Sequence, residues 1–423
     1  MPAAPPIKAA RGMRDILPAE RPAWALVERA ARRAANCYGY QEIEVPIVEP
    51  AALIERGVGG DSDVGSKEIY RLQAFGEEDD GAGLALRPEA TAGVVRAYFE
   101  GGLNQGPQPV RLVTLGPMFR HDRPQKGRYR QFHQFDLEVI GDPSPAYDAE
   151  IVEMTWGWLA ELGVAPLSLE LNSIGDAVCR PAYLDLLRAY YRPLRSQLGP
   201  DCARRLEKNP LRLLDCKESQ CQPLRAGAPS ILDHLCPACA AHFAEVRGLL
   251  DAAGIGYRLN PHLVRGLDYY TRTVFELQHE NLGGAQNALG GGGRYDGLAA
   301  ALGYPDTPGV GFAGGLERTV LMLPEAVPAG AGVDVLVLPD GEGLDAPAAA
   351  LGRALRAGVP TAVDFSRRSL KAKMRAAGRS GARWVAILDP EEAGRGTARL
   401  RDLESGEQRE LPWAALAAAV AGS

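Results

Sequence analysis

Five cations, Arg120, Arg123, Lys126, Arg128 and Arg130, crowd into eleven residues. Such a density of forked donors suits phosphate groups, because one guanidinium can hold an oxyanion through two parallel N–H bonds. The residues that follow, Gln131 to Val139, alternate in character. On a strand, Phe132, Gln134, Asp136 and Glu138 share one face, and His133, Phe135, Leu137 and Val139 share the other. The first face is a row of hydrogen-bonding groups led by an aromatic ring. The second suits packing on a core. The competing reading is a solvated hairpin with a basic tip, since charge runs usually lie on solvated surfaces.

Other groups that could do chemistry are scattered along the chain. Cys216, Cys221, Cys236 and Cys239 have the spacing C-x4-C-x14-C-x2-C, with His242 nearby, which is compatible with a tetrahedral zinc site. Reduced cysteines buried as small apolar residues are the alternative. Gly290 to Gly293 is no phosphate loop, because no Lys–Ser/Thr pair follows it; taken alone it predicts a flexible turn. A basic cluster, Arg367, Arg368, Lys371, Lys373, Arg375, Arg379 and Arg383, is opposed nearby only by Asp364. It reads as a solvated helix.

Elements must hold these groups in place. Pro22 to Tyr40 predicts a helix, with Leu26, Val27, Ala30, Ala31, Ala34, Cys37 and Tyr38 at helical spacing. A strand through Ile43, Val45 and Ile47, a loop from Gly57 to Gly65, and a polar turn from Arg87 to Thr91 come next. Val110 to Phe119 and Tyr129 to Ile140 predict two strands joined by a loop with Pro124 and Gly127. Residues from about 176 to 256 carry helical patterns and little strand signal, as a helical insertion would. Tyr270 to Leu277 predicts another strand, and Val310 to Leu323 a strand running into a helix. Pro324 to Gly332 is rich in Pro, Ala and Gly, and 326–332 is the expected linker. Beyond it, Val333–Leu338, Ala346–Arg356, Thr361–Phe365, a basic helix from Ser369 and Trp384–Leu388 alternate as βαβαβ, which predicts a small α/β domain with a mostly parallel sheet.

Composition narrows the class. A chain of 423 residues has room for two or three cores, so the expected division is 1–325, the linker, and 333–423. Seven cysteines in such a length are no disulfide scaffold. No apolar run is long enough for a membrane helix, and Met1 to Arg14 lacks a signal core, so a cytoplasmic start is expected. The net charge of −6 argues against a protein that coats nucleic acid indiscriminately, and leaves room for a local basic patch.

Several long motifs, in order, carry a resemblance. Gly116–Pro117–Met118–Phe119–Arg120, with Arg128–Tyr129–Arg130–Gln131–Phe132–His133–Gln134, resembles motif 2 of the class II aminoacyl-tRNA synthetases in its histidyl-tRNA synthetase version. Leu263–Val264–Arg265–Gly266–Leu267–Asp268–Tyr269–Tyr270 and Gly291–Gly292–Gly293–Arg294–Tyr295–Asp296–Gly297–Leu298 are similar to the two histidine signatures of that family. Gly311 to Arg318 resembles motif 3, and the region ending at Pro46 occupies the place of motif 1. The likeness runs from Arg11–Gly12 to Gly406–Glu407.

The resemblance implies an α+β catalytic domain with an antiparallel sheet, a helical insertion and a C-terminal α/β anticodon-binding domain. It implies ATP with Mg2+, L-histidine and tRNA(His) as partners, and a homodimer formed through the motif 1 region. Arg120 would hold the α-phosphate and Arg318 the γ-phosphate, with Phe132 stacked on adenine and Asp122 near it. Arg318 falls in the first turn of its expected helix, where the dipole disfavours a cation unless a polyphosphate is bound. Arg265 would sit beside the α-phosphate as a fixed positive charge. Glu138 and Tyr270 would read the imidazole, Glu89, Thr91 and Gln134 the α-amino group, and Tyr269 would also bind histidine. Arg123, Lys126 and Arg128, with Arg367, Arg368, Lys371 and Lys373, would contact tRNA. The sequence departs from the family pattern at Ala90 and Gly314, and at Asp122, which is shorter than the usual glutamate. A regulatory subunit of ATP phosphoribosyltransferase is the rival; such paralogues typically lack the last domain and have degraded motifs.

Overall fold

The computed structural model describes residues 6–59, 64–73, 83–216, 218–282, 287–324, 327 and 332–421. Most of the expected linker, 326 and 328–331, lies outside these residues, as does 60–63 of the expected Gly-rich loop. The chain divides into two compact units, one containing Ala23–Ala326 and the other Val327–Ser423.

Helix α1 (Arg21–Cys37) buries Trp24, Val27, Ala30, Ala31 and Ala35, one stripe at helical spacing. Pro22 sits in its first turn, and Gly39 follows it at a φ of 77°. Strand β1 (Gln41–Glu42) is short, and β2 (Val48–Pro50) begins only after a gap. The strand expected through Ile43, Val45 and Ile47 is therefore an extended connection. In it Ile43 N donates to Val113 O, and Ile47 O accepts from Arg87 N, so it passes the chain from one sheet to another. Helix α2 (Ala51–Val58), β3 (Tyr70–Leu72) and β4 (Leu84–Leu86) follow, and β2, β4 and β3 form a small antiparallel sheet.

Helix α3 (Thr91–Glu100) precedes the long hairpin of β5 (Val110–Phe119) and β6 (Gln131–Ile140). Helix α4 (Pro145–Glu161) starts at Ser144, whose hydroxyl accepts from Ala146 N. Then come β7 (Leu167–Ser173), α5 (Arg180–Tyr191), α6 (Pro200–Lys208), α7 (Gln222–Ala226), α8 (Pro237–Ala252) and β8 (Arg258–Leu259). Strands β9 (Thr271–His279) and β10 (Ala288–Arg294), helix α9 (Leu298–Ala301), strand β11 (Gly309–Gly315) and helix α10 (Leu316–Leu321) complete the unit.

Eight strands make the main sheet, in the order β1-β5-β6-β11-β10-β9-β7-β8. From β5 to β7 every pairing is antiparallel, and only the outer pairs β1/β5 and β7/β8 are parallel. On one face Phe135, Leu137, Val139, Phe275 and Val310 meet Trp24 of α1, Trp158 of α4 and Val246 of α8. On the other, Leu112, Met118 and Ile140 meet Tyr98 of α3 and Leu298 of α9. Gly290 to Gly293 is no turn. It is the middle of β10, paired with Leu277 to Val274 on one side and Gly314 to Gly311 on the other.

The insertion has its own core, in which Tyr183, Leu187, Cys202, Leu206, Cys216 and Ile231 pack with Val264 and Tyr270. Helix α8, which was expected to belong to the insertion, instead packs into the sheet core through Phe243, Val246 and Leu250.

The second unit contains β12 (Val335–Pro339), α11 (Asp345–Arg356), β13 (Thr361–Val363), α12 (Leu370–Ser380), β14 (Trp384–Leu388), α13 (Pro390–Arg395), β15 (Thr397–Asp402), β16 (Gln408–Pro412) and α14 (Trp413–Ala421). The order is β13-β12-β14-β15-β16. The predicted βαβαβ part is parallel, and a further antiparallel hairpin extends it.

Candidate active site

Two cavities meet beside Arg120, Gln134 and Arg265. The larger, of about 420 Å³, is lined by the β5–β6 hairpin, the segment around Arg265, and the start of α10. The smaller, of about 120 Å³, is lined by Glu89, Thr91, Asp136, Tyr269 and Tyr270. Arg120, Gln134, Arg265, Gly266 and Ala313 line both. The larger volume suits a nucleotide.

Arginines from three elements surround the larger cavity. Arg120 leaves the end of β5; its Nε donates to Pro88 O at 2.8 Å and its guanidinium lies 5.3 Å over the Phe132 ring. Arg318, in the first turn of α10, donates from Nε to Gly127 O at 3.1 Å and from Nη1 to Ala288 O at 2.7 Å. Burial, then the nearby Arg128 and Arg120, lower its pKa. An anion entering the cavity would relieve this crowding. Arg265 donates from Nη1 to Glu276 Oε2 at 2.9 Å. Burial works against its charge, yet the facing Tyr270 and Glu276 raise its pKa. Gly291 makes room for it, since a Cβ there would lie 2.7 Å from Arg265 Nη1.

Asp122 and Arg128 line the same cavity and form an ion pair, and the Asp122 carboxylate also accepts from Arg123 N at 2.6 Å. Arg128 thus sits with the nucleotide side of the site, whereas Arg123 and Lys126 are exposed at the hairpin tip.

The smaller cavity is lined with acceptors. Glu89 accepts from Thr91 N at 2.9 Å and Ala92 N at 3.1 Å, and from the Tyr269 hydroxyl at 3.4 Å. Gln134 is buried, and its Oε1 has no partner among the described residues. Asp136 is only 2% exposed, and neither of its oxygens has a hydrogen-bond partner among the described residues. Burial, with the Glu89 charge added, pushes its pKa well above the usual carboxylate range. Glu138, expected to read the imidazole, lies deeper than the lining residues and accepts from the Tyr295 hydroxyl. Burial raises its pKa too. A Cβ at Gly311 would run into the Glu138 carboxylate, so a glycine is needed on the neighbouring strand.

Three residues of this site carried no role in the sequence. Glu276 orients Arg265, and Glu317 accepts from His133 N at 2.9 Å and faces its Nδ1 at 3.0 Å. Asp136 is the third; its place in the alternation with Gln134 was the signal.

Two expectations fail. Cys216, Cys221, Cys236 and Cys239 do not form one cluster. Cys216 and Cys221 gather with Cys202, while Cys236 and Cys239 gather with Cys179 and Asp176. His242 joins neither; it is buried with its Nε2 3.8 Å from Asp148. Lys373 is no RNA ligand on the surface. It is 4% exposed, and its Nζ donates to Pro339 O at 2.7 Å, satisfying a carbonyl at the end of β12. Arg367 and Arg368 are exposed but paired, with Asp345 and Asp364.

An antiparallel sheet that carries one arginine at a hairpin and another on the helix after its central strand, around a nucleotide-sized cavity, defines the catalytic domain of a class II aminoacyl-tRNA synthetase. The family model for histidyl-tRNA synthetase matches residues 12–319, and that for the anticodon binding domain residues 334–422. A histidine–tRNA ligase of Moorella thermoacetica is 48% identical, over 96% of both chains. One from Desulforudis audaxviator is 47% identical, over 95% of both. Among solved structures, apo histidyl-tRNA synthetase of S. aureus superposes with a TM-score of 0.79 at 33% identity, covering 98% of this chain and 99% of its own. The chain belongs to the histidyl-tRNA synthetase family.

Proposed function

We propose that the protein activates L-histidine with Mg–ATP to histidyl-adenylate, then transfers the histidyl group to the 3′ end of tRNA(His). The junction of the two cavities carries this reading: Arg120 and Arg265 stand where a nucleotide-sized space meets an amino-acid-sized one. A histidine carboxylate oxygen attacks the α-phosphorus, and the bond to the pyrophosphate oxygen breaks with its electrons leaving on pyrophosphate. The carboxylate is already a nucleophile, so no general base is required. Fixed charge and positioning are what the step needs, and Arg120 and Arg265 supply them. A ribose hydroxyl of the tRNA terminus then attacks the histidyl carbonyl carbon, and AMP leaves with the bonding pair as the hydroxyl proton is lost.

Glu89, Thr91, Gln134, Tyr269 and Tyr270 fit the amino acid in the smaller cavity, with Glu138 behind them. Phe132 and Arg318 fit adenine and the γ-phosphate in the larger. Acceptors kept dry in this way discriminate, because a side chain that cannot donate leaves them unpaired. The family match over 334–422 supports anticodon binding by the second unit. A homodimer in the cytoplasm is part of the proposal. Ile47, Val48, Leu72 and Leu84 stand exposed at or beside the small sheet next to Pro46, and apolar groups there suit a partner surface.

Histidine-dependent ATP–pyrophosphate exchange tests the reading. Exchange with histidine and with no other amino acid is expected. Its absence would sink the proposal and favour the regulatory-subunit rival, for which no feature of the site speaks.

A further inference from the structure

We infer that Asp176, Cys179, Cys236 and Cys239 form a tetrahedral site for a zinc ion. In sequence they make two short pairs, D-x2-C and C-x2-C, the spacing with which one turn can present two ligands to one metal. In space the Asp176 carboxylate and the three sulfurs all lie within 4.8 Å of one another. Asp176 Oδ1 is 3.6 Å from Cys179 Sγ and 3.9 Å from Cys236 Sγ. Zinc–sulfur bonds of about 2.3 Å and zinc–oxygen bonds of about 2.0–2.2 Å place neighbouring ligands on a tetrahedron roughly 3.5–3.8 Å apart. The four groups are therefore close to ligand spacing.

Their surroundings suit ligands as well. Arg272 Nη2 lies 3.5 Å from Asp176 Oδ2, the oxygen that faces away from Cys179, and so orients the carboxylate from outside. Asp176 Oδ1 accepts from Val178 N at 3.0 Å, which fixes the turn before α5. Cys179 and Cys239 are buried while Asp176 and Cys236 are partly open, which leaves an entry path. The bland alternative is a capping aspartate beside three thiols that fill space as small apolar groups. It accounts for a single cysteine beside Asp176, but not for three converging on one carboxylate. The other group, Cys202, Cys216 and Cys221, consists of three buried residues and has no fourth ligand among the described residues.

The site would brace the histidine pocket from behind, a step that rests on the function proposed above. It ties the turn before α5 to the start of α8. From that turn Arg180 donates from Nη2 to Tyr270 O at 2.7 Å and to Gly175 O at 2.8 Å. Arg272 N donates to Gly175 O at 2.7 Å. Metal at the turn thus holds the backbone that presents Tyr269 and Tyr270.

Metal analysis of the purified full-length protein should find about one zinc per chain, lost in Cys236→Ser/Cys239→Ser and kept in Cys216→Ser. Cobalt exchanged into the site should show the visible bands of a tetrahedral ion and a thiolate charge-transfer band. Asp176→Cys should keep the metal and intensify that band, so the proposal does not depend on the double variant folding. A wild-type protein that takes up neither zinc nor cobalt stoichiometrically overturns the proposal. So does zinc lost on Cys216→Ser and kept without Cys236 and Cys239. With zinc removed by chelator, KM for histidine should rise more than KM for ATP. An equal rise would remove the bracing role and leave the metal site standing.

Discussion

Asp136 and Arg265 show how differently two buried charges behave in one site. Arg265 has Glu276 and Tyr270 about it and remains a fixed cation beside both cavities. Removing a preorganised charge where negative charge develops usually costs about 100- to 1,000-fold in turnover. Arg265→Ala should therefore lower the rate of adenylate formation by about that factor while changing histidine affinity only a few-fold. Pre-steady-state pyrophosphate release and histidine titration separate the two, and equal losses would argue against an electrostatic role. Asp136 has no hydrogen-bond partner among the described residues, a costly state for a buried carboxyl. A cationic amino group entering the smaller cavity would compensate it. A hydrogen bond to a charged group contributes about 1.5–3 kcal/mol, so Asp136→Asn should raise KM for histidine roughly tenfold or more with little change in kcat. An unchanged KM would make Asp136 a bystander.

At the scale of elements, β6 was legible because a strand alternates with period two. Phe132, Gln134, Asp136 and Glu138 do turn to the site side, and Phe135, Leu137 and Val139 to the core. β10 was illegible for the complementary reason. Glycines have no strand preference of their own, and the pairing of Gly290 to Gly293 is imposed by β9 and β11. The cysteines misled because two groups that are separate in space are nested in sequence: Cys202, Cys216 and Cys221 fall between Cys179 and Cys236. Lys373 could have been placed. On α12, Lys371, Arg375 and Arg379 recur every four residues and are exposed, while Lys373 and Ala377 face inward. Lys371→Ala/Arg375→Ala should thus raise KM for tRNA without altering pyrophosphate exchange, whereas Lys373→Ala should lower thermal stability. A tRNA defect confined to Lys373→Ala would reverse that assignment.

A second element-scale prediction concerns the contact of α4 with α8. His242 lies within ion-pair distance of Asp148, yet its pKa is lowered to about 4, chiefly by burial and then by Arg294 and Arg272. Asp148 is already paired with Arg294, and among the described residues both ring nitrogens of His242 lack hydrogen-bond partners. The unfolded chain takes up a proton near pH 6.5 and the folded protein only near 4, so stability is lost as pH falls between them. The loss is on the order of 3 kcal/mol. Urea unfolding at several pH values should show it, and His242→Leu should flatten the dependence. An unchanged slope would place the titrating group elsewhere.

For the whole molecule, the arrangement of charge matters more than its sum. The chain is acidic, at −6, yet it carries two kinds of cation. Arg120, Arg265 and Arg318 line a cavity, whereas Lys371, Arg375 and Arg379 stand in solvent on a helix of the second unit. Salt screens exposed charges strongly and partly buried ones much less. Binding of a nucleic acid through two or three exposed phosphate contacts weakens roughly ten- to fortyfold when salt rises fourfold. KM for tRNA(His) in aminoacylation should therefore rise by about that factor between about 50 and about 200 mM salt. KM for ATP in pyrophosphate exchange should change much less, because the cavity proposed for its phosphates lies inside the first unit. Measuring both on one preparation decides the matter. If the two constants moved together, the exposed helix would not be the tRNA contact, and the salt effect would have to arise in the shared cavity.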